Sequence, residues 1–346
     1  MITIKLTVPG QPPRPDLFQY TGNHEGVVSG CKFVINDPTL DRADIWMVLD
    51  GLDQPEACRV SARCTVFLSA EVCLPLDHYL SSYAANFLAQ FSQIHTCFAN
   101  NHSRSFRDLP FQAWMINANH GSFFLPSQRD VNWLHRLDNL PKPKEISVLC
   151  SNLAKTPAHC VRLAFVKALK EKLGERLHWF GNGVNRINQK WEGVAPYKYT
   201  IALENQRADD IITEKICDSF LAYACPIYWG APNASSYFPS HSFEEIDITN
   251  IKDSVRKVED ILVKDEYYAR LPYIHKARNL VLNEYNWLER MARVAKELHS
   301  NAVISDQLQI PALLQLRPLQ SFRPKPSLAS RALKLSKRIY HRIHRF

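Results

Sequence analysis

Tyr197-Lys-Tyr-Thr-Ile-Ala-Leu-Glu-Asn205, then Ile212-Thr-Glu-Lys215, then Pro226-Ile-Tyr-Trp-Gly230 decide how this chain is read. The first run has the composition of a buried strand and ends in a Glu-Asn pair. After seven intervening residues Thr213, Glu214 and Lys215 open an amphipathic stretch of helical period, which feeds a second apolar run, Cys225 to Trp229, closed by Gly230. Strand, polar loop, helix and strand at this spacing make a βαβ unit. In sheets built from such units, ligands bind where loops leave the carboxyl ends of the strands. Those loops here carry Glu204, Asn205, Thr213, Glu214 and Lys215.

The rest of the second half repeats the alternation. Strands are expected at 146–150, 177–180, 198–203, 225–229 and 243–248, with helices near 160–173, 213–224 and 253–263 and a long helical stretch over 274–299. Alternation of this kind predicts a parallel sheet wrapped by helices. The first half offers short strands at Ile2–Val8, Cys31–Ile35, Ile45–Leu49 and Thr65–Ser69, and helical periodicity over Leu80–Phe91. Pro141-Lys-Pro-Lys144 reads as the linker. The division expected is therefore 1–140, 141–310, and a tail over 311–346.

The three opening pieces resemble, in order and in register, the donor-site pattern of the family 10 glycosyltransferases, the α1,3/4-fucosyltransferases. That pattern is an aromatic-rich strand ending in E-N-S, a short loop, T-E-K, a helix, and P-I-Y-x-G. Gln206 stands where the serine is usual, and Ile211 where many members have a tyrosine. The resemblance extends over most of residues 10–300. It implies an α/β protein of GT-B type, two Rossmann-like domains facing a cleft, the first binding the acceptor and the second the GDP-sugar. It also implies inverting transfer of L-fucose from GDP-fucose to a hydroxyl of a glycan acceptor containing GlcNAc, with no cofactor beyond that donor substrate.

Such chemistry asks for a base for the acceptor hydroxyl and a cationic grip on the departing nucleoside diphosphate. Glu71 follows the apolar run Thr65–Ala70 as though emerging from a strand end, and it aligns with the glutamate of the family's T-G-E motif, here Ser69-Ala70-Glu71. Its other reading is a cap for the next helix. Arg162, in His159-Cys-Val-Arg-Leu-Ala-Phe165, lies near the start of a helix and is similar to the arginine of the family's G-H-x-x-R-x-x-F, with Ala158 replacing the glycine. Its guanidinium and the Lys215 ammonium suit diphosphate oxygens. Both would take the part a metal plays in other sugar transferases, and the chain has no D-x-D metal motif. Glu214 and Asn205 are placed for hydroxyls of the donor's ribose or fucose, although a carboxylate in a helix's first turn also suits the helix dipole alone, and Glu204 is counted with them as donor-binding. Tyr197 and Tyr199 either border the guanine or fill the core, and His159 either orients the diphosphate or caps its helix. The acidic pairs Asp209-Asp210 and Glu244-Glu245 read as solvated loop charges.

Composition narrows the class further. The 346 residues suit two domains, and no run approaches the ~20 apolar residues that cross a bilayer. Nine cysteines, odd in number and never in Cys-x-x-Cys, read as reduced and mostly buried rather than as a disulfide or zinc framework. Eleven glycines form neither a Walker loop nor G-x-G-x-x-G. The net charge is +8, yet Arg317 to Phe346 holds nine Lys/Arg and no acid, which leaves thirty-three bases against thirty-four acids elsewhere. A nearly neutral body argues against a nucleic-acid partner.

In that tail Leu328, Ala332, Leu335, Ile339 and Ile343 recur at helical spacing among arginines and lysines. This is the pattern of a basic amphipathic helix lying on an anionic membrane surface, carried on a spacer containing Pro318, Pro324 and Pro326. The Met1–Val8 start lacks the features of a signal peptide. A cytoplasmic protein held at the inner face of a membrane is expected, acting on an oligosaccharide or lipid-linked glycan in surface polysaccharide synthesis. The alternatives are a transferase for another GDP-sugar and a non-catalytic glycan-binding protein on the same scaffold.

Overall fold

The computed structural model describes residues 1–70, 82–98, 103–117, 129–304 and 312–323. Glu71 and the segment 327–346 lie outside these residues. Two predominantly parallel sheets, each in its own lobe, organise the chain.

The N-terminal lobe contains β1 (Ile2–Thr7), α1 (Phe18–Thr21), β2 (Val27–Val28), β3 (Cys31–Ile35), β4 (Ile45–Leu49), β5 (Glu56–Arg59) and β6 (Thr65–Leu68). It continues with α2 (Ser82–Leu88), β7 (Gln93–Thr96), β8 (Ser105–Arg107) and α3 (Val131–Arg136). Seven strands run in the order β2-β3-β1-β4-β6-β7-β8, parallel except for the β2/β3 pair. All five residues of β4 (Ile-Trp-Met-Val-Leu) are buried. Such unbroken apolar runs mark strands of a parallel sheet covered on both faces.

The C-terminal lobe holds β9 (Lys144–Leu149), α4 (Pro157–Leu173), β10 (Leu177–Phe180), β11 (Tyr197–Leu203), α5 (Glu214–Leu221), β12 (Cys225–Trp229), β13 (Glu244–Glu245) and α6 (Ile251–Lys264). Its five strands are all parallel, in the order β10-β9-β11-β12-β13. Pro226, which lacks an N–H, is tolerated inside β12 because β13 pairs only with Ile227 and Tyr228, leaving Pro226 beside β11 alone. Thr156 caps α4 by accepting from the His159 N–H at 3.2 Å, and Pro157 occupies the first turn, where its missing donor costs nothing.

The long helical stretch is two helices, α7 (Tyr267–Asn283) and α8 (Trp287–Ile304). The break falls at Glu284–Asn286. The Glu284 and Tyr285 N–H groups both turn back to the Leu280 carbonyl, and Asn286 starts α8 by accepting from the Leu288 N–H at 3.1 Å. Helix α8 then crosses to the first lobe, where Glu289 accepts from the Ser29 hydroxyl at 2.6 Å.

Residues 312–323 correct the reading of a free spacer. β14 (Leu313–Leu316) pairs antiparallel with β5, the Arg317 N–H donates to Gln90 Oε1 at 2.8 Å, and Phe322 meets Phe87 edge-on. This segment therefore seals the first lobe. Six of the eight described cysteines are buried, as their apolar settings predict. Among the described residues no helix is long and apolar enough to cross a membrane.

Candidate active site

The carboxyl ends of β9 and β11 flank the point where the strand order of the second sheet reverses, and the candidate residues gather there. Arg162 projects from the second turn of α4, is buried, and donates from Nη1 to Asn205 Oδ1 and, at 3.4 Å, to the Leu203 carbonyl. Glu204, immediately after β11, has no exposed surface. Its carboxylate accepts from the Thr213 N–H at 3.0 Å and from the Thr213 hydroxyl at 2.7 Å. The Lys215 ammonium lies 3.3 Å from Glu204 and 3.1 Å from Glu214. Thr213 is also the N-cap of α5, its hydroxyl facing the Lys215 N–H. A threonine thus ties the strand end to the helix start, so that Arg162, Asn205, Glu214 and Lys215 occupy one neighbourhood.

Gly230 is needed for that packing. A Cβ there would stand 2.1 Å from the Tyr228 hydroxyl and 2.5 Å from Glu204 Cγ, so the glycine closing the third motif piece lets β12 lie against the buried carboxylate.

The charges are strongly coupled. Burial pushes the Glu204 carboxyl above its ordinary range, against the pull of Lys215 and Thr213. Burial also opposes ionisation of Glu214, but Lys215 and then Lys190 outweigh it and bring its carboxyl down to about 2. Lys215 is disfavoured as a cation by burial, yet Glu204 and Glu214 hold it protonated well beyond the usual ammonium range. Burial, with Arg162 and Lys155 nearby, lowers His159, so its ring is neutral at pH 7. Among the described residues Arg162 Nε and His159 Nδ1 are buried without a hydrogen-bond partner. A fixed ammonium, a guanidinium with an unused donor and a helix N-terminus form a setting made for an anion.

Three sequence expectations change. Glu204 commits both oxygens to Thr213 and Lys215, so it supports the motif from beneath instead of meeting a donor. Tyr197 and Tyr199 lie at the opposite, amino-terminal end of β11. Tyr197 is fully buried with its hydroxyl 2.5 Å from His178 Nδ1, and Tyr199 packs edge-on against Tyr267 with its hydroxyl 3.3 Å from Asp265. Four to six residues at about 3.3 Å each separate them from the strand's carboxyl end, so both tyrosines are core. The acidic pairs are not merely solvated: Asp210 is buried and ion-paired with Arg107, and Glu244 with Arg270, while Asp209 and Glu245 are exposed.

The first lobe reaches this region directly. Asp218, on the buried face of α5, accepts from the Met115 N–H at 3.0 Å and pairs with Lys190 at 2.6 Å. Arg290 of α8 donates to Asp108 and to the Leu109 and Pro110 carbonyls. Ile211 packs against Cys97 and Phe98. Sequence reasoning missed Asp218, although an acid among Ile216, Phe220 and Leu221 on a buried helix face is a readable signal. Arg107 carried none. Beyond Gly230 a cavity of about 430 Å³ opens, lined by Arg207, Tyr228, Asp247, Asn250, Ser254 and Lys257 among others.

Two parallel α/β lobes, with a charged site at the carboxyl edge of the second sheet, make the GT-B architecture of glycosyltransferases. The family model described as glycosyltransferase family 10 (fucosyltransferase) C-term matches residues 140–305, the span of the C-terminal lobe and α7–α8. The Helicobacter pylori alpha-(1,3)-fucosyltransferase FucT is 29% identical over 97 residues, 28% of this chain and 18% of that protein. A putative fucosyltransferase-like protein of Arabidopsis thaliana is 28% identical over 158 residues, 44% of this chain and 28% of that protein. The chain spans less than a third of the length of these curated relatives. Among solved structures, an α1,3-fucosyltransferase is similar at a TM-score of 0.49 and 16% identity over 78% of this chain and 80% of that one. The same kind of enzyme with GDP-fucose gives a TM-score of 0.46 at 17% identity, over 78% and 81%.

Proposed function

We propose that this chain is an inverting fucosyltransferase that moves L-fucose from GDP-fucose to a hydroxyl of a GlcNAc-containing glycan acceptor, without a metal. The observation that carries the proposal is the joining of Arg162 and Lys215 at the carboxyl edge of β9 and β11, with Arg162 Nε unpartnered. Transfer leaves negative charge on the departing GDP, and preorganised cations aimed at developing charge are commonly the largest catalytic term. Arg162 would take diphosphate oxygens with its free donors and Lys215 would add a point charge, while Glu214, ionised across the physiological range, and Asn205 would accept from donor hydroxyls. Glu71 is the proposed base for the acceptor alcohol. The segment 327–346 is proposed to hold a cytoplasmic protein against an anionic membrane surface, where lipid-linked acceptors for surface polysaccharide would be met.

Incubation of the full chain with GDP-fucose and a panel of GlcNAc-terminated acceptors tests this by GDP release and mass analysis of the product. A fucosylated product is expected, and Glu71→Gln should lower turnover by ~10²-fold or more while donor affinity is retained. Turnover of GDP-mannose in place of GDP-fucose would reassign the donor. Donor binding with no transfer to any acceptor would favour the glycan-binding reading. The full chain should sediment with vesicles containing anionic lipid and not with neutral ones, and removal of 327–346 should abolish that sedimentation.

A further inference from the structure

Between Asn205 and Thr213 the chain makes a seven-residue excursion, and both of its ends hold site residues. Wherever this loop rests, the first turn of α5 must follow. Asp210 anchors it. The residue is buried and adopts a left-handed backbone conformation at φ +66°, uncommon for anything but glycine. Its N–H donates to Asn233 Oδ1 at 2.9 Å, while Oδ1 accepts from Asn233 Nδ2 at 2.7 Å and from the Tyr237 hydroxyl at 2.6 Å. Those partners follow β12 and belong to the C-terminal lobe. The other oxygen, Oδ2, accepts from Arg107 Nε, which comes from β8 at the edge of the N-terminal sheet. One carboxylate therefore serves both lobes, one oxygen to each.

The next residue repeats the arrangement in apolar form. Ile211 is almost fully buried against Cys97 and Phe98 of the first lobe, while its carbonyl accepts from the Tyr228 hydroxyl of the second at 3.0 Å. Two residues on, Thr213 begins the site.

We infer that Arg107 and Asp210 are a cross-lobe pair of positioning residues, setting the loop that carries the diphosphate-binding turn so that the donor site is complete only when the lobes are engaged. The two side chains bond to each other, and Asp210 also to Asn233 and Tyr237, rather than to Arg162 or Lys215; they act through Ile211, Thr213 and Lys215. The inference rests on the fucosyltransferase reading for its ligand. Arg107 is about half exposed on a three-residue edge strand, so truncating it leaves no cavity in either core.

The test is titration of GDP into the full-length chain and its variants. Arg107→Ala should weaken GDP binding by about tenfold, because the competent arrangement of the loop is then less populated, with only the small loss of thermal stability that a half-exposed ion pair carries. Arg107→Lys should recover most of that affinity, and Asp210→Asn, which keeps an oxygen for Asn233 and Tyr237, should cost about as much as Arg107→Ala. The double variant should be no worse than either single one. Wild-type affinity in Arg107→Ala, additive losses in the double variant, or no recovery with lysine would each overturn the pairing. A wild-type chain that fails to bind GDP removes the donor reading itself and this inference with it. Binding by the wild type and Arg107→Ala alike removes only the inference.

Discussion

The Lys215 ammonium stands 3.3 Å from the carboxylate of Glu204, a residue with no exposed surface. The two sit in different motif pieces, one closing a strand and one opening a helix, and Thr213 joins them. A buried carboxylate held by one hydroxyl, one backbone N–H and one ammonium fixes where that ammonium can be. Its long side chain would otherwise sample many rotamers, and ordering it in advance spares a bound anion that entropy cost.

Lys215→Met keeps the length and the apolar stem of the side chain but removes the charge. GDP affinity should fall by ~10–100-fold, as expected for a lost hydrogen bond to a charged group. Titration calorimetry reads this directly, and an affinity within twofold of wild type would take Lys215 out of the site.

Thr213→Val preserves shape and removes the hydroxyl on which Glu204 depends. Leaving a buried acceptor short of a donor costs ~1–3 kcal/mol. Urea denaturation should show that loss, and GDP binding should weaken alongside it because α5 loses its cap. Unchanged stability would mean that the carboxylate finds another donor.

Asp218 makes a pH-dependent prediction. Burial pushes its carboxyl up to about 6, with Lys190 opposing, whereas an unfolded aspartate titrates near ~3.9. Between those values the folded protein keeps a proton that the unfolded chain has released, so stability falls as pH rises through the window, and the full penalty is present above about 6. Asp218→Asn carries no such charge. Its stability relative to wild type should therefore rise between pH 4 and pH 7 by up to about 3 kcal/mol. Denaturation curves of both proteins across that range decide it, and a pH-independent difference would contradict the assignment.

Tyr197→Phe is the complementary control. Losing the contact to His178 should cost about 1 kcal/mol of stability and leave GDP affinity at the wild-type value, since the ring lies at the far end of β11. A donor-affinity loss of tenfold or more would restore Tyr197 to the site.

The sequence showed some of these features and hid others for physical reasons. β11, β12 and the capped start of α5 were legible because burial on both faces and Thr-Glu-Lys each leave a local mark, whereas α4 was expected from about 160 and begins at Pro157, behind a Thr-Pro start the reading passed over. The break at Glu284–Asn286 was missed because hydrophobic periodicity runs across it and only one asparagine signals the new cap. β5 and β14 were missed because two short half-exposed strands stabilise each other across more than 250 residues, a pairing no local pattern records. Arg162 and Lys215 were singled out from motif position, and the fold brings both to the carboxyl edge of the second sheet. Glu204 was grouped with them by its motif position, but its burial under Gly230 and its bonds to Thr213 belong to packing, which no local pattern records. The Arg107–Asp210 pair joins two lobes, and β8 alone gives no reason to single out its arginine.

The most direct examination of the whole account is a crystal structure of the full chain with GDP. The account predicts diphosphate oxygens within about 3 Å of Arg162 and Lys215 nitrogens, at the carboxyl edge between β9 and β11. GDP seated elsewhere, for instance in the cavity lined by Arg207 and Asp247 with Arg162 and Lys215 untouched, would contradict it.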